Sequence, residues 1–360
     1  MTTVEKHAEL DSEALEAFGD RMIGVVNDAC TALMTSIGHQ TGLFAALAGR
    51  QPSTSTEVAA AAGLNERYVR EWLNAMTTAR VVVHDAATGT YVLPGEHAAW
   101  LTDDAGPDNL ARLMVYLPML AEVEQGIVRC FHQGGGLSYS DYPRFHSLMA
   151  ADSSAVVDAT LLDVVVPLVE GLEDRLRAGI DVADVGCGSG HAINVLAAAF
   201  PDSRLTGYDF SAEAIAAARA EANALGLTNA RFEVLDVAAL DKAADYDLIT
   251  AFDAIHDQAH PGRVLAGISR ALRDGGTFLM IDIRASSNVA ENLEHPLAPF
   301  LYTVSTMHCM SVSLGLDGDG LGTAWGEQLA TSMLHDAGFA QVEIRAVEAD
   351  PLNSYYVCSR

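Results

Sequence analysis

The chain has 360 residues, half of them hydrophobic, and 48 acidic against 21 basic side chains give a formal net charge of −27. That length accommodates two domains with sizeable cores. The charge repels phosphate, and no basic run interrupts it, which excludes an open nucleic-acid or anionic-lipid surface. Cys30, Cys130, Cys187, Cys309 and Cys358 are odd in number and widely spaced, with no C-x-x-C pair. This predicts a reducing, cytoplasmic setting rather than a disulfide framework. The N-terminal residues lack the regions of a signal peptide, and no apolar run reaches the length of a membrane span.

Residues 22–49 read as apolar helix, and the polar stretch Ser53 to Thr56 caps a second helix. Gly63 turns the chain into a third, Glu66 to Met76. Two short strand-like runs follow, Arg80 to His84 and Thr90 to Leu93, around a turn at Asp85 to Gly89. Helix, turn, helix and hairpin make a winged helix-turn-helix outline over residues 1–100. DNA binding needs a basic footprint. Residues 50–100 instead carry Arg50, Arg67, Arg70 and Arg80 against Glu57, Glu66, Glu71, Asp85 and Glu96. A structural role is therefore expected, in packing on a sister subunit and walling off a site.

Residues 101–165 read as a helical connector contributing to that site. It has a methionine-rich start (Met114 to Leu120), a glycine break at Gly134–Gly136, and the segment Leu137 to Met149. Tyr139, Tyr142 and His146 in that segment are candidate substrate contacts. A helix over Val156 to Leu172 is expected to be kinked or interrupted at Pro167.

From residue 166 the pattern becomes strand, helix, strand in alternation, which predicts an α/β domain with a doubly wound parallel sheet. Its first strand ends in Asp184, and Gly186, Gly188 and Gly190 alternate before a helix-like run. Glycines permit a tight turn and close approach to a ligand. A dinucleotide fingerprint fails because His191 or Ile193 stands where its last glycine belongs, and no phosphate-loop lysine is present. The second strand, Arg204 to Asp209, ends in an acid placed to accept hydrogen bonds from ribose hydroxyls. Phe210 follows, where a ring can lie on a base. Arg231 to Asp236, Tyr246 to Phe252 and Gly276 to Asp282 complete the five strands, with Asp253 just past the fourth.

The run Asp184-Val-Gly-Cys-Gly-Ser-Gly190 resembles motif I of the class I S-adenosylmethionine-dependent methyltransferases. With its winged-helix front, the chain resembles the small-molecule O-methyltransferases of plants and of the hydroxyindole type over nearly its whole length. It looks closer still to an actinobacterial winged-helix branch whose members are often labelled as regulators. The resemblance implies a Rossmann-like seven-stranded domain with a reversed last strand, here Ala340 to Val347 paired with Ser354 to Cys358. It implies S-adenosylmethionine as cofactor and S-adenosylhomocysteine as product, with no metal. Asp236 would approach the adenine amine, with Val237 beside it. Phe145, His146, Met149 and Ser153 match a family segment, with His146 in place of asparagine, and Met149 and Ser153 would border the cofactor. A homodimer through the front domain is also implied.

The chemistry follows the fourth strand. A hydroxyl acceptor is a poor nucleophile until deprotonated. His256-Asp257, directly after Ile255, resembles the His-Asp of the family's Ile/Leu-x-His-Asp, whose histidine is the general base; pocket lining and helix capping are the other roles open to it. No clear acid counterpart brackets it, and Asp282, Glu291 and Glu294 are the possible orienters. Residues 284–324 form a long insertion rich in aromatic, sulfur and hydroxyl side chains. Phe300, Tyr302, Met307, His308 and Met310 are its pocket candidates. The expected activity is methyl transfer to a small molecule, first to oxygen, with nitrogen, sulfur or carboxylate acceptors open. A winged-helix regulator that senses the cofactor is the alternative of a different class.

Overall fold

The computed structural model describes residues 10–348 and 350–360, apart from the side chains at positions 107, 145–147, 151 and 152. The chain divides into two compact units, Met1–Pro118 and Met119–Arg360. Residues 101–165 therefore do not stand apart as a connector. Their first part belongs with the front unit and the rest with the sheet.

In the front unit a long helix, Ser12–Gln40, starts where Asp11 accepts hydrogen bonds from the Glu13 and Ala14 amides. After the short helix Leu43–Leu47 comes Ser55–Ala62, begun by a reciprocal cap between Thr54 and Glu57. Gly63, at φ +67°, turns the chain into Glu66–Thr78. Strands β1 (Val83–Asp85) and β2 (Thr90–Val92) pair antiparallel as the wing. The core holds Phe44, Leu47, Val58, Val69, Trp72 and Met76. Trp72 meets Phe44 edge-on, and its Nε1 donates to the Met34 carbonyl at 2.8 Å. On the Glu66–Thr78 helix, Arg67 pairs with Glu71 and Arg70 with Glu66, so its arginines are balanced within the helix.

The second unit is built on seven strands: β3 (Asp181–Val185), β4 (Arg204–Asp209), β5 (Ala230–Val234), β6 (Tyr246–Phe252), β7 (Leu272–Ile283), β8 (Gln341–Val347) and β9 (Asp350–Ser359). Their order is β5-β4-β3-β6-β7-β9-β8. The first five run parallel, and β9 is antiparallel to both β7 and β8. Parallel strands covered on both faces read as near-continuous apolar runs, and two buried clusters pack against the sheet. The order reverses between β3 and β6. Ligands of open α/β sheets bind beyond the strand carboxyl ends at such a point.

The helix Phe145–Thr160 ends in a π turn, Leu161–Val165, before the 3₁₀ turn that contains Pro167. Within 284–324 a helical stretch runs from Ala298 to Gly315 with a π turn at Ser305–Cys309. Among the described residues no helix is long and apolar enough to cross a membrane.

Candidate active site

A cavity of about 350 Å³ opens at the switch point, within the size range of small-molecule sites. The glycine turn after β3 forms its floor. Gly186, Gly188 and Gly190 all have positive φ, but they do different work. A Cβ on Gly186 would lie 2.5 Å from that of Ala254, in the loop after β6. A Cβ on Gly188 would meet nothing within 4 Å, so this glycine leaves room over the cavity. Gly190 does not border the cavity. Its Cβ would strike Phe232 and Ala218, so its smallness lets the following helix approach the sheet.

Asp209, at the end of β4, accepts from the Gly188 amide at 2.9 Å and from the Ser211 amide at 2.8 Å. It ties the glycine turn to the neighbouring strand while bordering the cavity. Asp184, beneath the turn, accepts from Thr250 Oγ1 at 2.7 Å. Burial pushes its pKa up to about 7, with Asp209 adding to the rise and Thr250 opposing it. Met149 and Ser153 of the Phe145–Thr160 helix, Phe210, and Val237 also line the cavity. Asp236 does not. It is exposed and caps the turn Val237–Ala239 by accepting from the Ala238 amide. The His146 side chain lies outside the described residues.

His191, which occupies the position of the missing glycine, binds a carboxylate on each ring nitrogen: Glu221 at 2.6 Å from Nδ1 and Asp158 at 2.8 Å from Nε2. Partial burial lowers its pKa, but the bonds to Asp158 and Glu221 outweigh that and raise it above the usual value. A raised folded value means the stabilisation is fully present below the unfolded pKa of about 6.5 and is lost as pH rises through the folded value. His191→Gln is therefore expected to lower the urea midpoint more at acidic than at alkaline pH. Equal losses at both would show that the ring is not held charged.

The loop after β6 carries the polar wall. Asp253, Asp257 and Gln258 border the cavity; His256 is buried just behind it. His256 Nδ1 lies 2.9 Å from Asp282 Oδ1, which also accepts from Trp325 Nε1 at 3.1 Å and from the Ile283 amide at 2.9 Å. Burial works against a charged His256 ring, yet Asp282 and the Cys309 thiol beside it hold the pKa well above the usual range. Asp257 accepts from Tyr139 Oη at 2.6 Å, and burial raises its pKa. The Tyr139 ring leans on Phe210 at 5.0 Å. Asp253 sits at φ +52°, and burial raises its pKa to about 7.

Of the predicted substrate contacts, Tyr139 lines this cavity. Tyr142, Phe300, Tyr302, Met307, His308 and Met310 do not. Tyr142 donates to the Met307 carbonyl and packs with Val123, Ile127 and Val312. His308 is buried edge-on to Tyr139 and Tyr142. Tyr302 Oη accepts from Asn292. Tyr142, Tyr302, Met307 and His308 are engaged in packing the insertion. Among the possible orienters, Asp282 reaches His256, whereas Glu291 is exposed and accepts from Ser286.

Residues 29–103 match the Rv2258c-like winged HTH domain, and residues 176–338 match a methyltransferase domain. Together they take in about two thirds of the chain. The chain joins an Rv2258c-like winged HTH domain to a methyltransferase domain. In fold it is similar to the mitomycin 7-O-methyltransferase structure, with a TM-score of 0.67 and 18% identity, covering 97% of this chain and 100% of that one. The human N-acetylserotonin methyltransferase, solved with S-adenosylmethionine, gives 0.63 at 16% identity, covering 98% and 99%. In sequence, the trans-aconitate 2-methyltransferase of Methylobacterium nodulans is 31% identical over 34% of this chain and 42% of its own length. The chain spans about two fifths of the length of the curated relatives it matches.

Proposed function

We propose that the protein transfers the methyl group of S-adenosylmethionine to an oxygen atom of a small molecule. One observation carries this reading: a single cavity joins the glycine turn and Asp209 to the loop that bears Asp253, His256 and Asp257. The fit is supported by the room above Gly188 and by the Asp209 carboxylate at the cavity's edge, an acceptor for the hydroxyls of a ribose. When bound, the cofactor supplies an electrophilic methyl carbon on a sulfonium. The protein's own work is to align the acceptor with that carbon and to remove its proton. His256 is the proposed base. Asp282 fixes Nδ1–H and leaves Nε2 to take the proton. Because His256 does not border the cavity, this role requires the Cys309 side of the ring to give way to the acceptor. Asp257, which does border it, is the second candidate base.

The acceptor we propose is neutral. Asp184, Asp209, Glu213, Asp253 and Asp257 line the cavity against one basic side chain, His191, so an anionic acceptor meets repulsion. Incubation with S-adenosylmethionine and a panel of phenols and carboxylic acids, read as S-adenosylhomocysteine formed, tests this. Turnover confined to carboxylic acids would contradict it.

The front unit is proposed to form a homodimer rather than to bind DNA. Leu15, Phe18, Met22, Val26, Leu33 and Ile37 are exposed along Ser12–Gln40 at helical spacing, an apolar stripe too long for a surface left to water. Sedimentation is expected to show a dimer at micromolar concentration, shifted to the 38.1 kDa monomer by Phe18→Asp with Val26→Asp. A monomeric wild type would remove the dimer.

A further inference from the structure

Asp253 and His256 follow β6, and Asp282 lies near the end of β7, its neighbour in the sheet. One ligand atom from each of the three lies within 4.8 Å of the other two. His256 Nδ1 is 2.9 Å from Asp282 Oδ1 and 3.7 Å from Asp253 Oδ1. A single ion bonded to nitrogen and oxygen at about 2.0–2.2 Å spans such gaps. The Asp282 side chain is wholly buried, and its Oδ2 has no hydrogen-bond partner among the described residues; nor has the buried Asp253 Oδ1. Buried carboxylate oxygens are costly to leave unpaired. Among the described residues no lysine or arginine pairs with Asp253, Asp257 or Asp282, so one imidazole faces three acids.

We propose that Asp253, His256 Nδ1 and Asp282 bind one divalent transition-metal ion, and that the ion inhibits methyl transfer. One imidazole and two carboxylates suit manganese, iron(II), cobalt or zinc. Asp253 borders the cavity and gives the ion a way in. The inhibitory half rests on the methyl-transfer reading; the binding half does not. In the base form the ring is neutral, with its proton on Nδ1. Coordination takes the Nδ1 lone pair and moves that proton to Nε2, the atom that must accept the acceptor's proton. The ring gains and loses no proton overall, but its basic site is gone.

The test is titration of metal-free protein with manganese(II), followed by electron paramagnetic resonance, on wild type, Asp253→Asn and Asp282→Asn. Asparagine tolerates the left-handed backbone at 253. Circular dichroism and S-adenosylmethionine affinity are measured on the same samples. One manganese per chain is expected, weakened roughly 10-fold or more by each substitution. Zinc is expected to stop wild-type turnover and a chelator to restore it. A wild type that binds S-adenosylmethionine but no manganese at about 1 mM, or binding undiminished in both variants, overturns the site. Undiminished turnover with the site filled overturns the inhibition. Manganese binding without S-adenosylmethionine binding leaves the site standing and removes the methyl-transfer reading instead.

Discussion

Asp209→Ala is expected to weaken S-adenosylmethionine binding about 100-fold, close to 2.7 kcal/mol, with the protein still folded. Two effects add. On the proposed reading the carboxylate would supply charge-assisted hydrogen bonds to ribose hydroxyls, each typically worth about 1.5–3 kcal/mol. It also holds the Gly188 amide at 2.9 Å, so its removal frees the turn that forms the cavity floor. Asp209→Asn keeps the size and one acceptor oxygen, and should lose about 10-fold through the charge alone. Calorimetric titration of the three proteins checks the series. An Asp209→Ala protein that binds as wild type would mean that the cofactor does not lie along β4.

His256→Gln is expected to lower kcat by roughly 100- to 10,000-fold, the range of a lost general base, with cofactor affinity little changed. Glutamine is the substitution of choice because its amide can still bond Asp282. Alanine would strand a fully buried carboxylate, at a cost of about 3–5 kcal/mol, and confuse stability with catalysis. Asp257→Asn should cost less than about 10-fold if histidine is the base. The reverse pattern, a large loss at Asp257 and a small one at His256, would assign the base to the residue that borders the cavity. Steady-state kinetics on both variants, with S-adenosylhomocysteine as readout, decides between them.

The parts legible in the sequence are those set by local rules. The glycine turn needs positive φ at fixed places, and an acid at a strand end stands out against an apolar run; both were readable at Gly186, Gly188 and Asp209. The strand–helix alternation gave the five parallel strands to within a few residues. The turn-helix-wing outline was equally local. What was not legible depends on register between distant segments. Asp282 becomes the partner of His256 because β6 and β7 pair Phe252 with Ile281. Trp325, from beyond the insertion, then joins the same carboxylate. No spacing rule links positions 256, 282 and 325. The same long-range pairing brings Asp253 beside His256 and Asp282, a juxtaposition that no spacing in the sequence marks. The insertion misled for another reason. Aromatic, sulfur and hydroxyl side chains make good pocket walls and good packing alike, and Tyr142, Met307 and His308 are used for packing. Gly190 satisfied the glycine pattern while serving the helix–sheet contact with Phe232, and Asp236 caps the turn Val237–Ala239.

The most direct measurement is calorimetric titration of the wild-type protein with S-adenosylmethionine and, separately, S-adenosylhomocysteine. One molecule per chain is predicted for each, with dissociation constants in the range of about 1–100 µM. A folded protein that takes up neither at about 1 mM would contradict the account at its centre.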